Sequence, residues 1–275
     1  NPFTRRPAAA FVSAARTRHQ SASVTPRPMD VIPADIGLPR IRAFTTLRSN
    51  GMSDVPFQSL NFGDHVGDKA AKVKLNRDLL RNTLPGGVDP RWLRQIHGVD
   101  VVAAHTVPEG CVPTADASWT DHPGMAIAVM TADYLPIVLA GIRSDWVAVV
   151  HAGWRGLAAG VIEATLAAVP GGCGEARAWL GPAIGPCCFE VGAEVRQTFI
   201  ERFGAMAAAS FVSTGSPGKY LADLAGLAAI RLQELGIAGL SNSGRCTVCQ
   251  AEDFFSHRRD GVTGRMATVA MILPK

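Results

Sequence analysis

Three apolar runs crowd into residues 126–131, 137–140 and 146–150, each bounded by Gly, Pro or Asp and none longer than six residues. Runs this short and this rich in β-branched residues read as strands. The link Gly141-Ile142-Arg143-Ser144-Asp145 suits a hairpin between the last two, so a purely parallel sheet is excluded. Immediately afterwards the period changes. Leu157, Val161, Ile162, Thr165 and Leu166 recur at helical spacing and Pro170-Gly171-Gly172 follows as a stop, predicting a helix over 156–169. Helices are expected over 191–203 and 221–235, the second closed by Gly236, with further strands at 178–180 and 266–273. The fold class expected is α/β with mixed sheets.

With 275 residues, 47% of them apolar, the chain can bury one large core but is short for two domains. No apolar stretch approaches the roughly 18–20 residues needed to cross a bilayer, so no membrane partner is expected. The formal charge of +4 is misleading about partners. Residues 1–29 carry five arginines and no acid, and without them 22 basic side chains face 23 acidic ones. That head has neither a structural period nor an apolar signal core, and it reads as extra residues upstream of a start at Met29 rather than as an organellar presequence; the disordered basic tail is expected to extend over 1–38. The folded domain is expected at 39–275. Five scattered charges without interleaved aromatics do not make a nucleic-acid arm.

The six cysteines do not form the dense framework of a small secreted domain, and a reducing cytoplasm is the expected setting. Cys246-Thr247-Val248-Cys249 has the spacing of half a zinc ribbon, but no second pair follows it, so it reads as two unpaired thiols near a turn. Cys187 and Cys188 read as buried thiols at a strand-to-helix connection.

Candidate chemistry gathers where apolar runs end. In VAVVHAGWRGLAAG a strand delivers His151 to its carboxyl end, and a turn bracketed by Gly153 and Gly156 follows, carrying Arg155 towards the same cleft. That arrangement suits an anion or a metal. It lacks the lysine of a phosphate-binding loop and the third glycine of a dinucleotide fingerprint. In WLRQIHGVDVV a second imidazole, His97, stands beside Gly98 before a Val-rich strand. A third place is the polar break Thr131-Ala132-Asp133-Tyr134, which interrupts two apolar runs. His257-Arg258-Arg259-Asp260 reads as a charged turn, with Asp260-Gly261 closing a hairpin into the last strand.

The segments LNFGDHVGD (61–69), RQIHGVDVV (94–102), ADASWTDHPGMAIAVMTADYLPIVL (115–139), VVHAGWRGL (149–157), WLGPAIGPCCFEVGAEV (179–195), KYLADL (219–224) and FFSHRRDGVTGRMA (254–267) together resemble the YfiH-like family. Its members are called laccase-domain or polyphenol oxidase proteins and also purine nucleoside phosphorylases. The resemblance runs from about residue 40 to the end. It implies a single four-layer α/β/β/α domain related to cysteine hydrolases, with a mononuclear zinc or copper site made of two histidines and a cysteine. Those histidines map to His97 and His151. The cysteine position is occupied here by Tyr134, a longer and harder ligand that must lose a proton to coordinate well.

The activities implied are phosphorolysis of adenosine, inosine, guanosine and methylthioadenosine, and deamination of adenosine. The resemblance places His65, Tyr134 and Arg155 in catalysis, and Arg48 and Asn61 at the substrate. Two other classes stay open: an editing hydrolase acting on cell-wall precursors, and a binding protein in which Tyr134 has ended metal chemistry. Multicopper oxidation would need many more imidazoles than the seven histidines present.

Overall fold

The computed structural model describes residues 29–143, 145–172, 176–237 and 239–275. The tail 1–28 and Cys173 lie outside the described residues. In chain order the elements are β1 (Val31–Pro33), β2 (Ile41–Thr46), α1 (Ala70–Thr83), β3 (Val101–Ala103), β4 (Ala117–Thr120), β5 (Ala126–Thr131), β6 (Leu135–Gly141) and β7 (Val147–Ala152). They continue with α2 (Trp154–Ala159), α3 (Val161–Ala168), β8 (Ala176–Leu180), β9 (Glu190–Gly192), α4 (Ala193–Phe203), β10 (Phe211–Ser213), β11 (Lys219–Ala222), α5 (Leu224–Glu234), β12 (Gly239–Asn242), α6 (His257–Asp260) and β13 (Met266–Ile272).

Three sheets form: β1-β2-β13-β5, β12-β8-β6-β7-β4-β3 and the small β10-β11-β9. The expected hairpin is β6–β7, antiparallel from Leu135↔Ala152 to Ala140↔Val147. The sheets are mixed, since β12–β8 and β3–β4 run parallel.

The apolar runs are continuous because both faces of these strands are buried. Along β6, Ile137 and Leu139 join a core shared with the helices α2 to α5, while Val138 and Ala140 point the other way. They meet Ile127 and Val129 of β5 and Ala270 and Ile272 of β13, so one cluster lies between the two larger sheets. Ala126, Ala128 and Met130 of β5 turn to a third cluster with Leu80 of α1. Each fully buried Leu, Ile or Val contributes on the order of 1.5–3 kcal/mol.

This arrangement explains the polar break. β5 belongs to the four-stranded sheet and β6 to the six-stranded one, so residues 132–134 carry the chain across from one sheet to the other. A crossing cannot keep its backbone in a ladder. Asp133 adopts φ +84 and its carbonyl accepts the Ile184 N–H.

Several expectations are corrected. The helix over 156–169 is two helices. Gly160 at φ +103 stops α2 by donating its N–H to the carbonyls of Gly156 and Leu157, and α3 restarts at Val161. The helix over 191–203 begins only at Ala193, after β9. That over 221–235 begins at Leu224, where Asp223 caps it by accepting the Gly226 N–H at 2.9 Å. The boundary at 38 falls too late, since β1 pairs with β2 (Val31↔Thr46) and Ile36 is buried. Asp260-Gly261 makes no hairpin: residues 257–260 form a single helical turn, capped by Ser256 accepting the Arg259 N–H.

Candidate active site

A buried carboxylate ties the carboxyl end of β7 to the loop that precedes β3. Asp116, just before β4, is fully buried and accepts the N–H groups of Ile96 (3.2 Å), His97 (2.9 Å) and Gly98 (2.7 Å). It also faces His151 Nδ1 at 2.8 Å. Burial by itself would raise its pKa, but the hydrogen bonds from His151 and from the backbone of Gly98 and Ile96 hold it below the ordinary carboxylate range. An ionised acceptor requires His151 to donate from Nδ1. Nε2 is then the free, proton-accepting nitrogen. The same wrapping holds His97 at φ +62, a backbone conformation costly for a non-glycine residue.

Around this anchor three rings converge. His97 and His151 have centroids 5.0 Å apart, Tyr134 lies 4.9 Å from His97 and 5.3 Å from His151. The glycines of the following turn make room for them. A Cβ on Gly153 would come within 3.2 Å of the Tyr134 ring and 3.4 Å of His97 Nδ1, and one on Gly156 within 2.9 Å of the Gly98 carbonyl oxygen. Partial burial and then the charge of His151 push His97 below the ordinary imidazole range; Asp116 opposes this, and Arg155 and Arg265 add to it. His97 is therefore a neutral base at neutral pH.

The rings open into a cavity of about 270 Å³, near the lower end of small-molecule sites, roughly 300–1,000 Å³. Its apolar wall includes Met130, Ile184 and Phe189, and its polar wall includes His65, Arg258 and Arg265. Burial lowers the Arg265 pKa against the pull of Asp133 and Tyr134, the mark of a guanidinium short of hydration. Asp133 braces the far side. Its carboxylate accepts the Thr247 hydroxyl at 2.6 Å and the Arg258 N–H at 2.7 Å.

Residues 42–273 match the model of a family described as multi-copper polyphenol oxidoreductase laccase. The chain belongs to that family. Over 235 residues it is 46% identical to a purine nucleoside phosphorylase of Pseudomonas aeruginosa, covering 85% of this chain and 94% of that one. It is 43% identical, over the same shares, to the purine nucleoside phosphorylase YfiH of Escherichia coli strain K12. Among solved structures it is similar to a Neisseria meningitidis protein (TM-score 0.84, 42% identity, 89% of this chain and 99% of that one). It is also similar to YlmD of Geobacillus stearothermophilus (TM-score 0.80, 32% identity, 86% and 93%).

Of the residues that the laccase-family resemblance nominates, His65, His97, Tyr134 and His151 line this one cavity. Three others do not. Arg48 stacks 4.7 Å over the Phe255 ring and donates to the carbonyls of Gln58, Ala251 and Phe254, so it ties loops together. Asn61 is fully buried, bonded to Gly63 and Asp68, and its Oδ1 accepts the Arg265 N–H at 2.9 Å. It positions a cavity arginine rather than touching the cavity. Arg155 is exposed and stacks 4.4 Å over Trp154, outside the cavity lining.

The sequence reading missed Asp116 and Arg265, and it took Arg258 for part of a surface turn. Asp116 carries a signal, an acid among small apolar residues directly before a strand, but its four donors come from far along the chain. A second correction concerns the thiols. Cys187, Cys188, Cys246 and Cys249 come together, with all four Sγ atoms within 4.8 Å of one another.

As a metal site the ring cluster is partly equipped. His97 and His151 converge as paired ligands do, and Asp116 fixes the tautomer of His151, but the third donor is a phenol.

Proposed function

We propose that this chain is a purine nucleoside-processing enzyme and that the His97–Tyr134–His151 cavity carries out phosphorolysis of adenosine, inosine, guanosine or methylthioadenosine. The observation that carries the reading is the meeting of three hydrogen-bonding rings and two guanidinium groups in one small cavity of a family whose relatives bear that name. Phosphate is the anion that the under-hydrated Arg265 and the neighbouring Arg258 are suited to hold, and His65 adds a donor at the same wall. A phosphate oxygen forms the bond to C1′ as the C1′–N9 bond breaks, and the electron pair leaves with the base. Tyr134 is the hydroxyl donor available to the departing base, and His151 Nε2 is the acceptor available to a ribose hydroxyl.

A zinc or copper ion, when bound, would be held by His97 and His151 and would add positive charge beside the reacting centre. Deamination of adenosine draws on the same cavity: water forms the new bond to C6 as the C6–N6 bond breaks and ammonia leaves, with neutral His97 and the Tyr134 hydroxyl as the groups able to carry the proton from the water to the departing nitrogen.

Supplied with adenosine and phosphate, the wild type is expected to release adenine, and His151→Ala to lower turnover by about 100-fold or more. Equal release by both would refute the reading. Tyr134→Cys separates the roles of the phenol: a joint gain in bound zinc and turnover makes it a weaker stand-in for sulfur, and a fall in turnover makes it a participant.

A further inference from the structure

The thiol corner lies outside the cavity and has no part in the reaction just described. Cys187 and Cys188 sit in the turn between β8 and β9, while Cys246 and Cys249 follow β12. The two segments are joined by a parallel bridge between Ala183 and Cys246 and by the Thr247 N–H donating to the Ala183 carbonyl at 3.0 Å.

Four Sγ···Sγ separations are short: 3.7 Å for Cys187–Cys246, 3.4 Å for Cys187–Cys249, 3.5 Å for Cys187–Cys188 and 3.4 Å for Cys188–Cys249. A disulfide needs about 2.05 Å, and all four thiols are free. A tetrahedron of sulfurs around zinc at about 2.3 Å has edges of about 3.8 Å, which these spacings approach. The Gly185 N–H donates to Cys246 Sγ at 3.3 Å, the kind of outer hydrogen bond that steadies a coordinating thiolate.

We infer that Cys187, Cys188, Cys246 and Cys249 form a four-thiolate site for a divalent cation of the zinc class, separate from the imidazole cavity. As the ion binds, the thiols give up their protons to solvent and four sulfur–metal bonds replace four S–H bonds. The site is a clamp. Ile184 and Phe189, which flank the vicinal pair in the chain, line the cavity, and Thr247, inside the C-x-x-C, holds Asp133. An ion here fixes that wall of the cavity from behind.

The full chain answers the question by metal analysis and by cobalt substitution. Purified wild type is expected to hold zinc that survives in the His97→Ala/His151→Ala variant and is lost in Cys246→Ser/Cys249→Ser. Loaded with cobalt, wild type is expected to show sulfur-to-cobalt charge-transfer absorption. The cavity lining contains no cysteine, so that band reports the thiol corner alone.

Alkylation of wild type followed by mass spectrometry needs no variant. The four cysteines should be protected in the zinc-loaded protein while exposed Cys111 reacts, and chelation should raise their labelling roughly tenfold. Zinc that disappears with the histidine pair, absence of the charge-transfer band, or labelling of the four at the rate of Cys111 with zinc present would each overturn the assignment.

Discussion

The imidazole cavity and the thiol corner stand on either side of Asp133 and are built in opposite ways. At the cavity the ring of His151 and the backbone of His97 are held by one carboxylate. Asp116 satisfies three N–H groups and one imidazole at once, and the ends of β5, β6 and β7 fix where the rings stand. In the corner, four sulfurs on loop segments touch mainly one another. The difference separates a site preorganised by its own dipoles from one whose order depends on what it binds.

The sharpest way to break that contrast is to remove the anchor. Asp116→Asn keeps the volume but replaces a carboxylate that serves four donors, leaving N–H groups unpaired in a buried place. Turnover is expected to fall by about 100-fold or more. Unfolding in urea should show a loss of about 3 kcal/mol. An effect confined to activity would mean that the backbone, and not the carboxylate, holds His97 and His151.

Next in size is the effect of a chelator on thermal unfolding. If the corner depends on its ion, chelation should lower stability by about 2.7 kcal/mol where the ion had been at a hundred times its Kd. The loss should be the same in His97→Ala/His151→Ala. A loss seen only when the histidines are intact would place the ion in the cavity.

Acid should act on two groups of the cavity in different pH ranges. The folded-state pKa of His97 lies below the ordinary 6.5, so the unfolded chain takes up that proton first, and this contribution to stability declines as pH falls from 6.5 towards the folded value. Asp116 is depressed as a carboxylate. Its contribution is present above the ordinary 3.8 and is lost as pH falls through its folded value. Turnover that depends on neutral His97 should therefore persist below pH 6.5 before failing, as a pH–rate profile would show. The smallest expected effect is that of Arg155→Ala. It removes a distant charge that depresses His97, so turnover should change less than about threefold while the acid limb moves slightly upward.

How far the sequence announced these features depends on where their partners lie. The strands β5, β6 and β7 were legible because burial on both faces leaves no polar alternation, and a run bounded by Gly, Pro or Asp has clear ends. Gly160 was not, since one glycine in a helical pattern does not show whether it bends or stops the helix. His97, Tyr134 and His151 were legible at element ends. That Asn61 braces Arg265, and that Arg48 ties loops, depended on contacts across roughly 200 residues that no local spacing encodes. The thiol corner was hidden for the same reason: the second pair was sought after Cys249, and it lies about 60 residues before it.

The central claim is that the cavity transfers a ribosyl group to phosphate, and the fate of the sugar tests it most directly. With adenosine and increasing phosphate, wild type should form ribose 1-phosphate and adenine in equal amounts, and His97→Ala should form neither at a comparable rate. Free ribose as the product, or adenine release indifferent to phosphate, would contradict the account.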